Sequence, residues 1–479
     1  MPESTYAASR RTGTVADQSL NEEMMEDKLR WYKEAKLGLF IHWGPYSQAG
    51  VEASWPIMVP GMSALSGGSV IAQDKYEALA ATFYPVEFDA HRWVKAAKNA
   101  GMRYLVITAK HHDGYCMFDA PGTEYKITNS PFGRDVIAEL SAACATAGMR
   151  FGIYYSPPDM HHPGYRDTSK PAKKNWYGEP KRAAWAEYLD YMERHLRHLL
   201  TAYGDVDILW LDGLFEQDKY QPARFHRIIR DLQPKILIND RLGSMGDFVT
   251  PEQGIPDAVP VRHTGEKKEI SAKAFSRIMK VLNLPGVRQY VSKKLGVLSE
   301  NPRPLTRFPT EPFPREDRFQ PWETCMTMNR TWAYSEDPLW KPPELLLRLM
   351  AKVVARGGNF LLNVGPDSLG RFPLQAMERL EEIGRWISTN GEAIYGTSYG
   401  PPAGENAVST RKNGAAYLIA LRKPDTGELT IPAELGAVGR ASALGTGVVT
   451  EINQSGDGPR LTLPNDFEAK VPLVIKLEV

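Results

Sequence analysis

Two observations predict an α/β fold, a (β/α)8-like (TIM-type) barrel followed by a C-terminal antiparallel β-sandwich. From Leu37 to Thr389, short apolar runs alternate with amphipathic stretches of helical period, and most of the runs end in His, Asp, Asn or Arg. From about Tyr399 the runs become short and alternating (AAYLIAL, ELTIP, GVVTEI, RLTLP, LVIKLEV), separated by Gly, Pro, Asn and Asp. A length of 479 residues is too great for one ordinary core and suits a large barrel with a small second domain. The expected division is an N-terminal arm over 1–19, a barrel domain over 20–398 with an insertion at about 254–321, and a β-sandwich domain over 399–479.

Taken in order, Asn21–Lys36 reads as a helix that leads into the strand Leu37–Trp43, with GPYS as its loop. Phe88–Ala100 is amphipathic and stops at Gly101, a suitable C-cap. Tyr104–Lys110 is the next strand and runs into His111-His112-Asp113-Gly114. The helix Asp135–Ala147, again closed by a glycine, precedes the strand Arg150–Ser156. Trp185–Tyr203 carries Leu189, Met192, Leu196 and Leu199 three or four apart, a helical stripe. Val206–Gly213, VDILWLDG, reads as a strand buried on both faces, with Asp212 at its carboxyl end. Helix Pro222–Leu232 and strand Lys235–Arg241 follow. Between Gly254 and Pro321 the rhythm breaks: 266–295 is basic and partly amphipathic, and 301–321 is rich in Pro and Arg. Helix Pro343–Arg356, strand Gly358–Gly365 and helix Leu374–Thr389 complete the barrel pattern.

Composition excludes several classes. A formal net charge of +1 gives no global electrostatic case for nucleic acid or an anionic membrane. No apolar run approaches the length that spans a bilayer. The segment MPESTYAASRRTGTV has no apolar core of a signal peptide, so the expectation is cytoplasmic by default, unless a leader for the periplasm or for secretion has been removed. Three widely spaced cysteines, Cys116, Cys144 and Cys325, predict neither a disulfide framework nor a zinc site. A GxSxG elbow, a P-loop and a GxGxxG after a strand are all absent, which removes support for triad hydrolases, NTPases and dinucleotide enzymes.

In such a barrel, residues at the carboxyl ends of strands carry the chemistry. Asp212 sits where a catalytic carboxylate would sit; the plainer alternative is a turn aspartate. His42 closes the first strand. His111 and His112 are adjacent, so both reach one pocket only if the chain turns at the strand end, which Asp113-Gly114 allows. Their spacing is unlike the HxH or HxxxH of metal sites, and neutral imidazoles suit hydroxyl binding. Retaining cleavage of a glycosidic bond needs a second carboxyl about 5 Å from the first. Glu252 in TPEQ and Glu323 in WETCMTMN are the candidates, each with a surface loop acid as its alternative.

FIHWGPYS, TAKHHDGY, FGIYYS, ILWLDG, INDR with GDFVTPEQ, WETCMTMN, GGNFLLNVGP and NGEAIYGT together resemble the α-L-fucosidases of glycoside hydrolase family 29, in order, over about Trp31 to Thr397. The resemblance implies a retaining exo-hydrolase that removes terminal α-L-fucose from a fucosylated glycan without metal or organic cofactor. Nucleic acid and membrane partners are not expected, and a homo-oligomer is compatible with the chain. By position, Asp212 would be the nucleophile and Glu252 the acid/base, with Glu323 as second choice. His42, His111, His112 and Tyr154 (preferred to Tyr155) would bind the sugar, with Trp55 on its apolar edge and Arg241 beside the nucleophile. The family often has Glu-Trp where this chain has Ser54-Trp55, and an aromatic where it has Met160. Two other readings remain at this point: a metal-dependent barrel hydrolase using His42, His111, His112 and Asp212, and a non-catalytic fucose-binding protein.

Overall fold

The computed structural model describes residues 26–58, 71–168, 182–212, 217–243, 246–262, 298–304, 309–337, 339–412, 414–455, 458–463 and 472–478. The expected N-terminal arm and the basic stretch 266–295 lie outside the described residues.

After a leading helix over 26–35, the strands are β1 (Leu37–Ile41), β2 (Tyr104–Lys110), β3 (Arg150–Tyr155), β4 (Ile208–Leu211) and β5 (Leu237–Ile238). A two-stranded ribbon, β6 (Val259–Pro260) with β7 (Thr310–Glu311), precedes β8 (Glu323–Thr327) and β9 (Asn359–Val364). Seven strands form one sheet in the order β5-β4-β3-β2-β1-β9-β8, with every neighbouring pair parallel. Helices α1 (Ala90–Asn99), α2 (Val136–Ala147), α3 (Arg182–Thr201), α4 (Pro222–Leu232), α5 (Pro343–Ala355) and α6 (Leu374–Asn390) separate them. The caps follow local chemistry. Asp89 and Asp135 accept the Arg92 and Ala138 N–H groups at 3.0 and 2.9 Å, and Gly148 ends α2 at φ 63°.

The sheet edges do not stay open. Residues 247–253 run between β5 and β8. Asn239 bridges Phe248, Val249 bridges Trp322, and Glu252 bridges Cys325, all in parallel sense. The Asp247 N–H bonds Ile238 O at 2.7 Å, and the Glu323 N–H bonds Val249 O at 2.9 Å. This irregular segment stands in the place of an eighth strand. Pro251 removes a donor from it and its polar residues hide the period of a strand, so sequence pattern does not reveal it. The strand expected over Lys235–Arg241 shortens to β5 because Asp240–Leu242 winds into a 3-10 turn.

Successive side chains in a strand face opposite ways. Phe40, Tyr104, Val106, Tyr154, Ile208, Trp210, Leu237, Cys325 and Leu361 fill the barrel interior, while Leu37, Leu39, Ile41, Leu105 and Ile107 pack with the helices outside. In the C-terminal part, a six-stranded and a three-stranded antiparallel sheet share a core of Leu418, Ala420, Leu429, Leu461, Ile475 and Leu477. Tyr417 and Ile419, on the other face of the same strand, join the barrel's core.

Gly38 packs directly under the Tyr104 ring, where a β-carbon would collide with it, and that ring is fully buried. Gly38→Ala is therefore expected to lower stability by about 1–3 kcal/mol, read as an earlier midpoint in urea; an unchanged midpoint would show that the Tyr104 ring can move.

Candidate active site

The cluster of polar side chains lies where the parallel strands end. Asp212 directly follows β4, and its N–H bonds Tyr155 O at 3.2 Å. The Asn239 side chain continues the ladder that β5 abandons. It accepts from the Leu211 N–H and donates to Leu211 O, both at 2.9 Å. That amide fixes the backbone next to Asp212 while leaving the chain free to turn.

Each oxygen of the Asp212 carboxylate has a donor. Tyr154 donates to Oδ2 at 2.8 Å, and Arg241 Nη1 donates to Oδ1 at 3.0 Å. Tyr155 points the other way, to His195 at 3.2 Å. The guanidinium of Arg241 is itself held. Its Nε donates to Thr250 Oγ1 at 2.9 Å and its Nη2 to Thr250 O at 3.2 Å. It also lies 4.8 Å from the centre of the Trp210 ring. Nη2 makes a further bond, at 3.0 Å, to Oε2 of Glu252. One planar cation thus binds two carboxyls, with fork geometry suited to the task.

Their environments push the two acids apart. Burial is the largest influence on Asp212 and raises it, but the Arg241 charge and the Tyr154 hydroxyl outweigh burial and hold the carboxyl below its ordinary value. Glu252 is also raised chiefly by burial. Arg241 opposes this, Asp212 adds to it, and the net shift is upward. The side chain of Glu252 is 34% exposed and that of Asp212 15%, so the raised acid is the one nearer to solvent.

Three imidazoles face the same space. The His42 and His111 ring centres are 5.6 Å apart, those of His111 and His112 4.3 Å, and His111 stacks on Tyr154. The adjacent pair converges because β2 ends at Lys110 and the chain turns, with the Gly114 N–H bonding His111 O at 3.1 Å. Gly114 has φ 85° and packs against Asp159, where a β-carbon would collide. Buried Lys110 pairs with Asp159 at 3.0 Å, and Asp159 accepts the His161 and His162 N–H groups, so the loop after β3 is tied to the double histidine. His42 Nδ1 lies 2.7 Å from Asn363 Oδ1, an acceptor, so Nδ1 carries the proton. His112 Nδ1 lies 2.5 Å from Ser156 Oγ, whose own proton goes to Pro158 O. This leaves Nε2 of His42 as an acceptor, while Nε2 of His112 lies 3.6 Å from Asp212 Oδ2. Burial drives His42 and His112 down to about 4 and His111 well below its ordinary value. Ser54 Oγ lies 2.5 Å from His111 Nδ1.

Below His42 the lining becomes apolar. Phe40 packs on Tyr154, Trp210 and Trp332 with ring centres 5.9, 5.3 and 6.1 Å apart, and Trp55 stands edge-on to His112 at 5.9 Å. The structure therefore brings together His42, Trp55, His111, His112, Tyr154, Asp212, Arg241 and Glu252. It separates Glu323 from them. Glu323 opens β8 at the opposite end of the strand, fully buried, with its carboxyl bonded to Tyr104 and Trp210. Burial raises it to about 7. The second-choice acid/base is thus a fully buried residue at the amino end of β8. Sequence reasoning missed Asn363, Ser156, Thr250 and Trp332. An asparagine inside the apolar run FLLNV was a usable signal; the other three carry none. Among the described residues no group of three or more His, Cys, Asp or Glu is arranged to hold a metal ion, so the metal-dependent reading finds no ligand set there.

Comparison with known proteins adds a family. The family described as Alpha-L-fucosidase matches residues 4–278 and 299–392. Tissue alpha-L-fucosidase of Bos taurus is 26% identical over 472 residues, covering 92% of this chain and 86% of that protein. Alpha-L-fucosidase isoenzyme 1 from Paenibacillus thiaminolyticus is similar in structure, with TM-score 0.75 and 30% identity over 95% of this chain and 99% of that one. A GH29 alpha-L-fucosidase from Bacteroides thetaiotaomicron, solved as a trapped covalent intermediate, shares the fold at TM-score 0.72 and 23% identity over 94% and 95% of the two chains.

Because burial lowers both rings to about 4, His42 and His112 are expected to stay uncharged from neutral pH down to about pH 5. Histidine ring-carbon NMR titration of His42→Asn and His112→Asn beside the parent chain assigns the two signals. A midpoint near 6.5 for either would contradict the burial argument.

Proposed function

Since the chain belongs to the α-L-fucosidase family, we propose that Asp212 is the nucleophile and Glu252 the acid/base of a double displacement at C1 of fucose. The enzyme is a glycoside hydrolase that removes α-L-fucose from fucosylated glycans. The observation that carries the residue assignment is the single guanidinium of Arg241 bonded to both acids, with the Asp212 carboxyl lowered and the Glu252 carboxyl raised. A retaining mechanism uses carboxyls about 5–5.5 Å apart and an inverting one about 6.5–9.5 Å; two acids sharing one guanidinium favour the shorter separation.

In the first step an Asp212 oxygen bonds to C1 as the C1–O bond to the aglycone breaks. Glu252 gives its proton to the departing oxygen. In the second step Glu252, now a carboxylate, takes a proton from water. The water oxygen bonds to C1, and the ester to Asp212 breaks with its electron pair returning to the carboxylate. Arg241 keeps Asp212 ionised before attack and stabilises it again as it leaves. The uncharged His42 imidazole offers its Nε2 lone pair to a sugar hydroxyl, while Phe40, Trp210 and Trp332 form an apolar corner suited to the methyl group that distinguishes a 6-deoxy sugar. Ser54 leaves fewer charged contacts to the hydroxyls than an acid there would make.

Azide separates the two roles. With 4-nitrophenyl α-L-fucoside, Glu252→Ala is expected to lose about 10²–10⁴-fold in turnover, and azide restores it by giving the α-fucosyl azide, configuration retained. Asp212→Gly is expected to be at least as impaired, and azide then gives the β-fucosyl azide by one direct displacement. Glu323→Gln should stay within about tenfold of the parent enzyme, since its carboxyl does not reach the site. A retained azide product from a Glu323 variant, with none from Glu252→Ala, would overturn the assignment.

A further inference from the structure

The chain places a buried acid, Glu52, two residues before Ser54, and nothing in the displacement chemistry uses it. The residue is 2% exposed. Both carboxylate oxygens accept the Trp332 N–H, each at 2.9 Å, and Oε2 also accepts the Ala333 N–H at 3.4 Å. Glu52 lies in the segment after β1, whereas Trp332 lies in the segment after β8, so the contact staples two loops that are distant in sequence. The staple continues into the site. Trp332 O accepts from Asn363 Nδ2 at 2.7 Å, and Asn363 Oδ1 lies 2.7 Å from His42 Nδ1. The Trp332 ring packs on the His42 ring with centres 5.0 Å apart and planes inclined by 36°.

We propose that Glu52 is a positioning residue that holds Trp332 against His42, and so sets the apolar wall of the sugar pocket. This rests on the fucosidase reading above. The Trp332 and Ala333 amides converge on the one Glu52 carboxyl, and a leucine in its place offers them no acceptor. Loss of the acceptor strands these two N–H groups, which the loop relieves by moving, and the indole moves with it. Burial raises the Glu52 carboxyl to about 8, the Trp332 and Ala333 amides pull against that, and the charges of Glu252 and Asp337 add to the rise.

The test is a double-mutant cycle on the full chain with 4-nitrophenyl α-L-fucoside, reading KM and kcat separately. Glu52→Leu is expected to raise KM about tenfold with kcat changed less than about threefold, and Glu52→Gln, which keeps one acceptor, to fall between it and the parent. In a Trp332→Ala background the indole is already gone, so the same Glu52 substitution should raise KM by less than about twofold. If Glu52→Leu does not fold, Glu52→Gln carries the cycle. An unchanged KM in the Glu52 variants, or the same full effect with and without Trp332, overturns the proposal. If the parent enzyme releases no nitrophenol, the fucosidase reading is what fails, and L-fucose binding by calorimetry takes the place of KM in the same cycle.

Discussion

Arg241 sits between two carboxyls, and much of the site's geometry follows from that placement. Its guanidinium is almost entirely out of water, bonded on one side to Asp212 and on the other to Glu252. Burial alone would lower its charge, but the two acids hold it firmly protonated. Removing one partner from a buried ionic group costs on the order of 3–5 kcal/mol, so the triad is all or nothing. Within it the acids are not equivalent. Each receives one bond from the cation, but Asp212 has a tyrosine hydroxyl as well, whereas Glu252 has a third of its side chain in solvent. One charge therefore sorts two like residues into an ionised base and a protonatable acid, which is the division that acid/base and nucleophilic roles require.

That triad depends on an irregularity of the barrel. β5 is only two residues long, and the chain then winds into the turn that carries Arg241. The Asn239 amide takes over the ladder with Leu211, and Thr250 holds the guanidinium from the segment that bridges β5 to β8. Glu252 is in that same segment. Thr250 and Glu252 are two residues apart, so this extended run turns both side chains to the face that meets Arg241. Against this corner stands the wall made by Phe40, Tyr154, Trp210 and Trp332, drawn from β1, β3, β4 and the segment after β8, with Tyr154 bonded to Asp212 and Trp210 under Arg241.

How much of this is legible in the sequence follows from what each residue's signal depends on. The barrel and the trailing β-rich part are readable because VDILWLDG, YLVITAK and GNFLLNVG are continuous apolar runs, and AAYLIAL and LVIKLEV alternate. Strand-end acids and histidines are readable for the same reason, since the end of an apolar run marks the face of the barrel. The bridging segment GDFVTPEQ has no period to read, and its place in the ring is set by a bond to nearby Ile238 and by bonds to Pro321 and Cys325, which are distant in sequence. Glu323 and Glu252 look alike as letters. What separates them is which end of a strand each occupies, and β8 begins at Glu323. Trp332, Ser156 and Glu52 act through contacts 44 to 280 residues away, which local pattern cannot report.

The most direct measurement is to trap the covalent intermediate. The chain would be incubated with 2-fluoro-fucosyl fluoride, whose fluorine at C2 disfavours the oxocarbenium-like transition state of both steps while fluoride remains a good leaving group. The intact mass and the proteolytic peptides are then read. The account predicts one fucosyl adduct per chain, on the peptide that contains Asp212, and none on Asp212→Asn. An adduct on Glu252 or Glu323, or steady turnover with no adduct on any acid, would contradict it.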